Sequence, residues 1–587
     1  MMNLLRPFSA LSALLLAGSC VSAPSQDALR DALFANGRPA EATAYGDFLV
    51  ARFAAMTNDP ETAAEYYAAA IDTAPEKSGI AERAVFSALL AGDYEAGVQL
   101  ARRASEVGST ATLVRLTLGV DALERGKESE AAKYLDETDY GPFNRVIARG
   151  LSAWRIADSG GADAAEAYLR GGLTGDANLD SSTLYMMGML QMADKHDAAA
   201  LATFDTLWDS GARLAVGVHA HAQLLVAAGK KARAVDILQA FHDEIGQNAA
   251  LDSLRADILA GKRIRPDRLS TREGAALAIY VPAAALMMQT DDDLSGVYFV
   301  LALALDPDLH VARSLWGQSL DNAGRRQEAI AVLSRIPESS EFYATARGQM
   351  AWALRREERN QESLAIAADA LAHSPDRGLK IQLADLYRSL DRNGDAERLL
   401  TEIIDDDAKA GRQDWRIVYA RGTTREQTGR WPDAETDLKA ALALQPANAS
   451  ILNYLGYAYI DRGLNYEAAL DMIRRAVELE PQSGYIVDSL GWAHYRMGRY
   501  ELAARFLERA VELSPGEALL NDHLGDAYWQ IGRKIEARFQ WQRVLKLDPS
   551  SAARERIEAK MQSGPDIAML TKAEPEETPA LAVARQP

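Results

Sequence analysis

Cysteine is nearly missing from this sequence: its 587 residues hold one, Cys20. That excludes a disulfide framework, a CxxC redox pair and any thiolate metal cluster. Net positive charge is missing too. Aspartate and glutamate number 83 against 64 lysines and arginines, a formal net charge of −19. Such a surface is repelled by phosphate backbones, so nucleic acid is not an expected partner. No uninterrupted apolar run reaches the roughly 20 residues that a bilayer-spanning helix needs. The eight histidines (His196, His219, His221, His242, His310, His373, His494 and His523) are scattered along the chain. His219 and His221, two residues apart, would diverge by about 200° on a helix and could not share a metal. No HExxH, Walker A, GxSxG or GxGxxG pattern occurs. The reading is a chain that is not an enzyme, with no catalytic, cofactor-binding or metal-ligating residues to assign.

What is present is a globular composition, 48% hydrophobic and 25% charged, which argues against disorder over most of the length. At the N-terminus, MMNLLRPFSALSALLLAGSCVSAPSQD places Arg6 before an apolar stretch of about eleven residues, Phe8 to Gly18. It is too short to cross a membrane and has the form of a signal-peptide core. Two cleavage sites compete. Val21-Ser22-Ala23 has small residues where signal peptidase needs them, but Pro24 would follow the cut. Leu16-Ala17-Gly18-Ser19-Cys20 resembles a bacterial lipobox, with Ala17 where leucine is favoured. The lone cysteine stands where a lipid anchor would need it. The expectation is a signal peptide over 1–19, lipidation at Cys20, and a tether leading into the structured chain over 20–39. The protein would then be exported and held by its lipid on the periplasmic face of the outer membrane, otherwise soluble in the periplasm.

The body of the chain repeats. Prolines at 446, 481, 515 and 549 are spaced by 35, 34 and 34 residues, and Leu455-Gly456, Leu490-Gly491 and Leu524-Gly525 keep the same register. A second pattern runs Gly, four residues, Ala, three residues, large apolar residue. It occurs as Gly126/Ala131/Leu135, Gly229/Ala234/Leu238, Gly324/Ala329/Leu333, Gly429/Ala434/Leu438, Gly498/Ala503/Leu507 and Gly532/Ala537/Trp541. Its physics is a helical hairpin. The glycine closes a tight turn with positive φ, the alanine permits close helix approach, and the proline stops the second helix. One hairpin cannot bury its own apolar face, so neighbours must stack.

These residues resemble the tetratricopeptide signature W-x2-L-G-x2-Y…A-x3-F…P. The resemblance spans roughly residues 40 to 550 and is strongest from Leu309 to Pro549. It implies an all-α superhelical solenoid of stacked antiparallel helix pairs, about twelve to fourteen repeats. Residues 140–180, with Gly160-Gly161 and Gly171-Gly172, fit the pattern least. A break at Ile258–Thr271 reads as a joint (258–272) between an N-terminal block (40–257) and a C-terminal block (273–550). Residues 551–562 are expected to form a polar capping helix, and the proline-containing tail 563–587, which has no apolar period, is expected to be disordered.

If Gly456, Gly491 and Gly525 share one repeat position, the groove-facing side of each first helix can be counted. It carries Asn453, Tyr457 and Ile460, then Asp488, Trp492 and Tyr495, then Asp522, Asp526 and Trp529. This is the candidate partner-binding groove. Whether Trp492 and Trp529 face the groove or pack against the next hairpin is open at this stage. Asp488 and Asp522 are expected to face solvent, because burying unpaired carboxylates is costly. An aspartate- and aromatic-lined groove suits a basic or extended, aromatic-containing protein segment rather than a C-terminal carboxylate. The chain also resembles long bacterial tetratricopeptide lipoproteins. That likeness implies a scaffold or adaptor in the cell envelope, some members presenting peptidoglycan hydrolases to a periplasmic carboxyl-terminal processing protease. The competing reading is an assembly scaffold of exopolysaccharide export or another envelope complex.

Overall fold

The computed structural model describes residues 44–565 apart from 74–77, 136–139, 176, 247, 288–293, 375–376 and 548–549. Cys20, the leader before it, most of the segment leading into the array, and the tail from 566 lie outside the described residues. Among the described residues there are thirty helices and no strand. Twenty-eight form fourteen helical hairpins, while Ala249–Leu259 and Ser551–Ser563 stand alone. The repeat count expected from the spacing is therefore met, and the fold is a tetratricopeptide-type array of helix pairs.

The pair Gly484–Arg496 and Tyr500–Leu513 illustrates how the sequence builds each hairpin. The first helix ends where Gly498 adopts φ 72°, a conformation that costs a glycine little. Asn448 opens the preceding pair by accepting a 3.0 Å hydrogen bond from the Ile451 amide. The Leu-Gly glycine is then covered by the second helix. A Cβ at Gly491 would lie 2.6 Å from Leu507, at Gly525 2.4 Å from Trp541, and at Gly456 2.7 Å from Ile473. The occupant of the space over the glycine is thus the large residue four positions past the alanine, and not the alanine itself. Ala503 and Ala537 are fully buried where the paired helices come closest.

The chain divides into two compact units, one through Ile366 and one from Ala367. Within the joint expected at 258–272, only residues 262–270 lack helix or turn, and they lie inside the first unit. The reason is the hairpin Thr271–Met287 and Leu294–Leu305. The second of these reads LSGVYFVLALAL and is buried almost all round, as a helix apolar on every side must be. It packs on Ser78–Leu90 and Thr112–Glu124, while Thr271–Met287 packs on Pro142–Gly160 and Ala177–Ala193. These are first helices of their pairs, so the hairpin lies along the faces that would otherwise line a groove. Tyr298 donates 2.9 Å to Asn144 Oδ1 and meets Phe143 edge to face. Gly274 lies directly against Trp154, whose ring would collide with any Cβ placed there. Further on, Arg325 donates to the Leu90 carbonyl at 2.7 Å and Asn58 to the Ala323 carbonyl at 2.6 Å.

In the second unit, the pairs from Trp415–Gln427 to Lys534–Lys546 share a core and end on the single helix Ser551–Ser563. Gly564 and Pro565, just beyond it, are buried, and Gly564 lies against Trp529. The first residues of the expected loose tail are therefore packed.

Gly491→Val should overfill the space held by Leu507 and cost about 1–3 kcal/mol. Gly516→Ala, which faces open space, should change stability by no more than about 0.5 kcal/mol. Urea unfolding of the full chain checks both, and equal midpoints for the two variants would contradict the packing described.

Candidate binding surfaces

Seven of the nine residues counted onto the groove face are buried: Asn453, Ile460, Asp488, Trp492, Tyr495, Asp522 and Asp526. Tyr457 and Trp529 are half-buried. Solvent exposure of Asp488 and Asp522 is thus corrected. Asp488 is buried because the first helix of the next repeat brings it a partner, and Asp522 because the terminal helix does. Asp488 Oδ2 lies 2.8 Å from His523 Nδ1. Asp522 Oδ1 and Asp526 Oδ2 accept from Lys560 Nζ at 2.8 and 2.9 Å. Lys560 belongs to the terminal helix, so that helix ties down the last pair through a buried ion triad. Trp492 is inter-repeat packing as well, stacked on Tyr495 at 4.7 Å and on His523 at 4.0 Å. The ambiguity over Trp492 resolves toward packing.

Two carboxylates share one ammonium in the triad. Burial pushes the Asp526 carboxyl up to about 7, with Asp522 adding to the rise and Lys560 opposing it. Its Oδ1 has no hydrogen-bond partner, as suits a carboxyl that is protonated part of the time. Burial works against the Lys560 charge, but Asp522 and Asp526 outweigh it and hold the ammonium above its ordinary range.

What the second unit leaves accessible is a set of aromatic edges on its first helices. Tyr419 and Tyr454 are half-buried and meet edge to face at 5.7 Å. The Tyr454 hydroxyl donates 3.0 Å to Glu426, which also takes a hydrogen bond from Arg462 at 2.5 Å. Trp529 is flanked by Lys534 and Arg538, at 4.9 and 5.4 Å from its ring. The Leu-Gly count places Tyr419 in register with Asn453, one repeat before the stretch that was counted. Tyr454 escapes the count because it stands one residue past that register position.

The first unit offers a cavity of about 450 Å³. Its apolar lining comes from Met189, Met192, Val216, Leu277, Tyr280 and Phe342. Asp267, Asp308 and Glu341 also line it. Asp267 is fixed by Gln223, which donates to its carboxylate at 2.9 Å and accepts from its backbone N–H at 3.1 Å. His219 Nδ1 lies 3.9 Å from Asp267, whereas His221 turns to Asp205 at 2.9 Å. The two histidines diverge as their spacing requires. Among the described residues no group of three or more histidine, cysteine or acidic side chains gathers as metal ligands. No helix of the described residues is long and apolar enough to cross a membrane.

The tetratricopeptide repeat family model matches residues 419–485 and 488–552. A TPR repeat-containing protein of Pseudomonas aeruginosa is 31% identical over 130 residues, 22% of this chain and 22% of that protein. A lipoprotein NlpI homolog of Haemophilus influenzae is 40% identical over 84 residues, 14% of this chain and 26% of that protein. The chain thus spans about a quarter of the length of these curated relatives. A solved tetratricopeptide repeat protein from Parabacteroides merdae aligns over 45% of this chain and 99% of its own, with TM-score 0.38 and 16% identity.

Lys560→Met leaves two buried carboxylates without their cation and should destabilise the terminal pair by about 3–5 kcal/mol. Hydrogen exchange across 518–546 reads this loss, which Asp522→Asn with Asp526→Asn in the same chain should largely reverse. The pH dependence follows from Asp526. Its folded value, about 7, lies above the ordinary 3.8. Its favourable contribution is therefore complete below about 4 and is lost as pH rises through 7. Asp526→Asn should flatten the fall in stability of this end between pH 5 and pH 8. An unchanged slope would contradict the assignment.

Proposed function

We propose that this chain, whose residues 419–485 and 488–552 match the tetratricopeptide repeat model, is a non-catalytic protein-interaction adaptor of the bacterial cell envelope. The observation that carries this reading is the run of matched repeats over 419–552, whose first helices keep aromatic edges half-exposed at Tyr419, Tyr454, Tyr457 and Trp529. Rigid aromatic edges give contact area at small entropic cost, as partner-binding surfaces require. The acidic balance of the chain favours a basic or extended, aromatic-containing protein segment as the ligand.

The envelope assignment rests on two supports. The leader has the form of a signal peptide and carries the chain's one cysteine at a lipobox-like position. One of the similar proteins is named a lipoprotein. On this reading Cys20 carries the lipid, the repeats face the periplasm, and the clients are cell-wall hydrolases handed to a periplasmic processing protease.

Gentle detergent extraction of the tagged protein, with mass spectrometry of what co-purifies, tests the client assignment. A periplasmic protease with peptidoglycan hydrolases is expected. Recovery of a polysaccharide-export barrel in their place would replace the adaptor reading with that of an export scaffold. Cys20→Ala should move the protein from the membrane fraction to the soluble one, and a variant still in the membrane fraction would end the lipid-anchor claim. Tyr457→Ala with Trp529→Ala should weaken partner capture while leaving the circular dichroism of the helices unchanged.

A further inference from the structure

The inner face of the first unit is largely covered by its own apolar hairpin, but the cavity at its C-terminal side is open. At about 450 Å³ it falls in the size range of ligand pockets. Its chemistry is lopsided. The apolar lining is methionine, leucine, valine and tyrosine, the cavity is also lined by Asp267, Asp308 and Glu341, and among the described residues no lysine or arginine lines it. The nearest arginine in sequence to Asp267, Arg268, is engaged elsewhere. It bonds the Asp197 carboxylate at 2.6 and 2.9 Å and also the Met192 carbonyl. His219, the closest histidine to Asp267, is pushed down by burial and so is neutral at pH 7. It supplies no compensating charge.

We propose that this cavity receives the basic side chain, lysine or arginine, of an extended segment of a partner protein. The apolar stem of such a side chain fits the methionine and leucine lining, and its charged end reaches the carboxylates at the rim. Asn248, Ser339 and Ser340, which also line the cavity, bring amide and hydroxyl groups of the kind that pair with peptide backbone. The negative field at the rim registers on Glu341, whose carboxyl is pushed up by burial and by Asp267. A cation placed there offsets the repulsion between the two carboxylates. The proposal rests on the scaffold reading and adds to it a second contact, on a different unit from the aromatic edges.

The test uses the full chain and two capped pentapeptides, Ala-Leu-Lys-Leu-Ala and the same sequence with norleucine replacing lysine, measured by calorimetry. The lysine peptide should bind at least about tenfold more tightly, with the preference shrinking as salt is raised. Asp267→Asn with Glu341→Gln should abolish that preference, and Ala215→Trp, which fills the cavity, should abolish binding of both peptides. Equal binding of the two peptides, or an unchanged preference in the double variant, would overturn the proposal. Spermidine binding as tightly as the lysine peptide would also overturn it, by assigning the cavity to free amines. Client retrieval through Tyr457 and Trp529 is measured in parallel. Loss of the lysine preference with clients retained defeats the cavity alone, while failure of both defeats the scaffold reading.

Discussion

The structure depends on one close approach. At Gly119, Gly188, Gly317, Gly422, Gly456, Gly491 and Gly525, a large apolar side chain from the second helix of the same pair sits where a Cβ would be. That contact sets how near the two helices come, and so how each hairpin presents its remaining apolar face. A face exposed on one hairpin must be covered by the next, which is why the array continues until something polar ends it. Here the end is the helix carrying Lys560. It uses an ammonium shared by two aspartates to finish the last pair.

The same logic explains the first unit. Its pairs also present inner faces, and the chain covers most of them itself with the hairpin over 271–305. Cores tolerate such an insertion because it is apolar on every side and close-packed against Trp154, Phe143 and Asn144. What is left uncovered is the acidic-rimmed cavity. Among the described residues of the second unit no such hairpin covers the first helices, and their aromatic edges are half-exposed. One unit therefore offers a pocket, and the other offers a set of rings.

The hairpins were legible in the sequence because the constraint is local. The turn glycine, the alanine five residues on and the large residue four further, which closes over the Leu-Gly glycine of the preceding helix, all fall within one repeat. Two things were not legible. The compact units divide at 366/367, and Tyr298 with Asn144 and Gly274 with Trp154 join residues more than a hundred positions apart across 258–272. The LSGVYFVLALAL segment also lacks the one-sided periodicity that marks an ordinary repeat. The count along the first helices left the packing of Trp492 open and missed the burial of Asp488 and Asp522. The partners that permit it, His523 and Lys560, belong to no repeat signature, and Lys560 lies beyond the last repeat.

The central claim is that partners are held on the inner side of the second unit. Photocrosslinking in the native envelope, from a benzoylphenylalanine placed at Tyr457 and separately at Leu479, tests it most directly. Tyr457 is half-buried on the inner side, and Leu479 is exposed at the end of a second helix. The account predicts protein adducts from position 457 and none from 479. Adducts from 479 alone would place the partner on the outer face and contradict it.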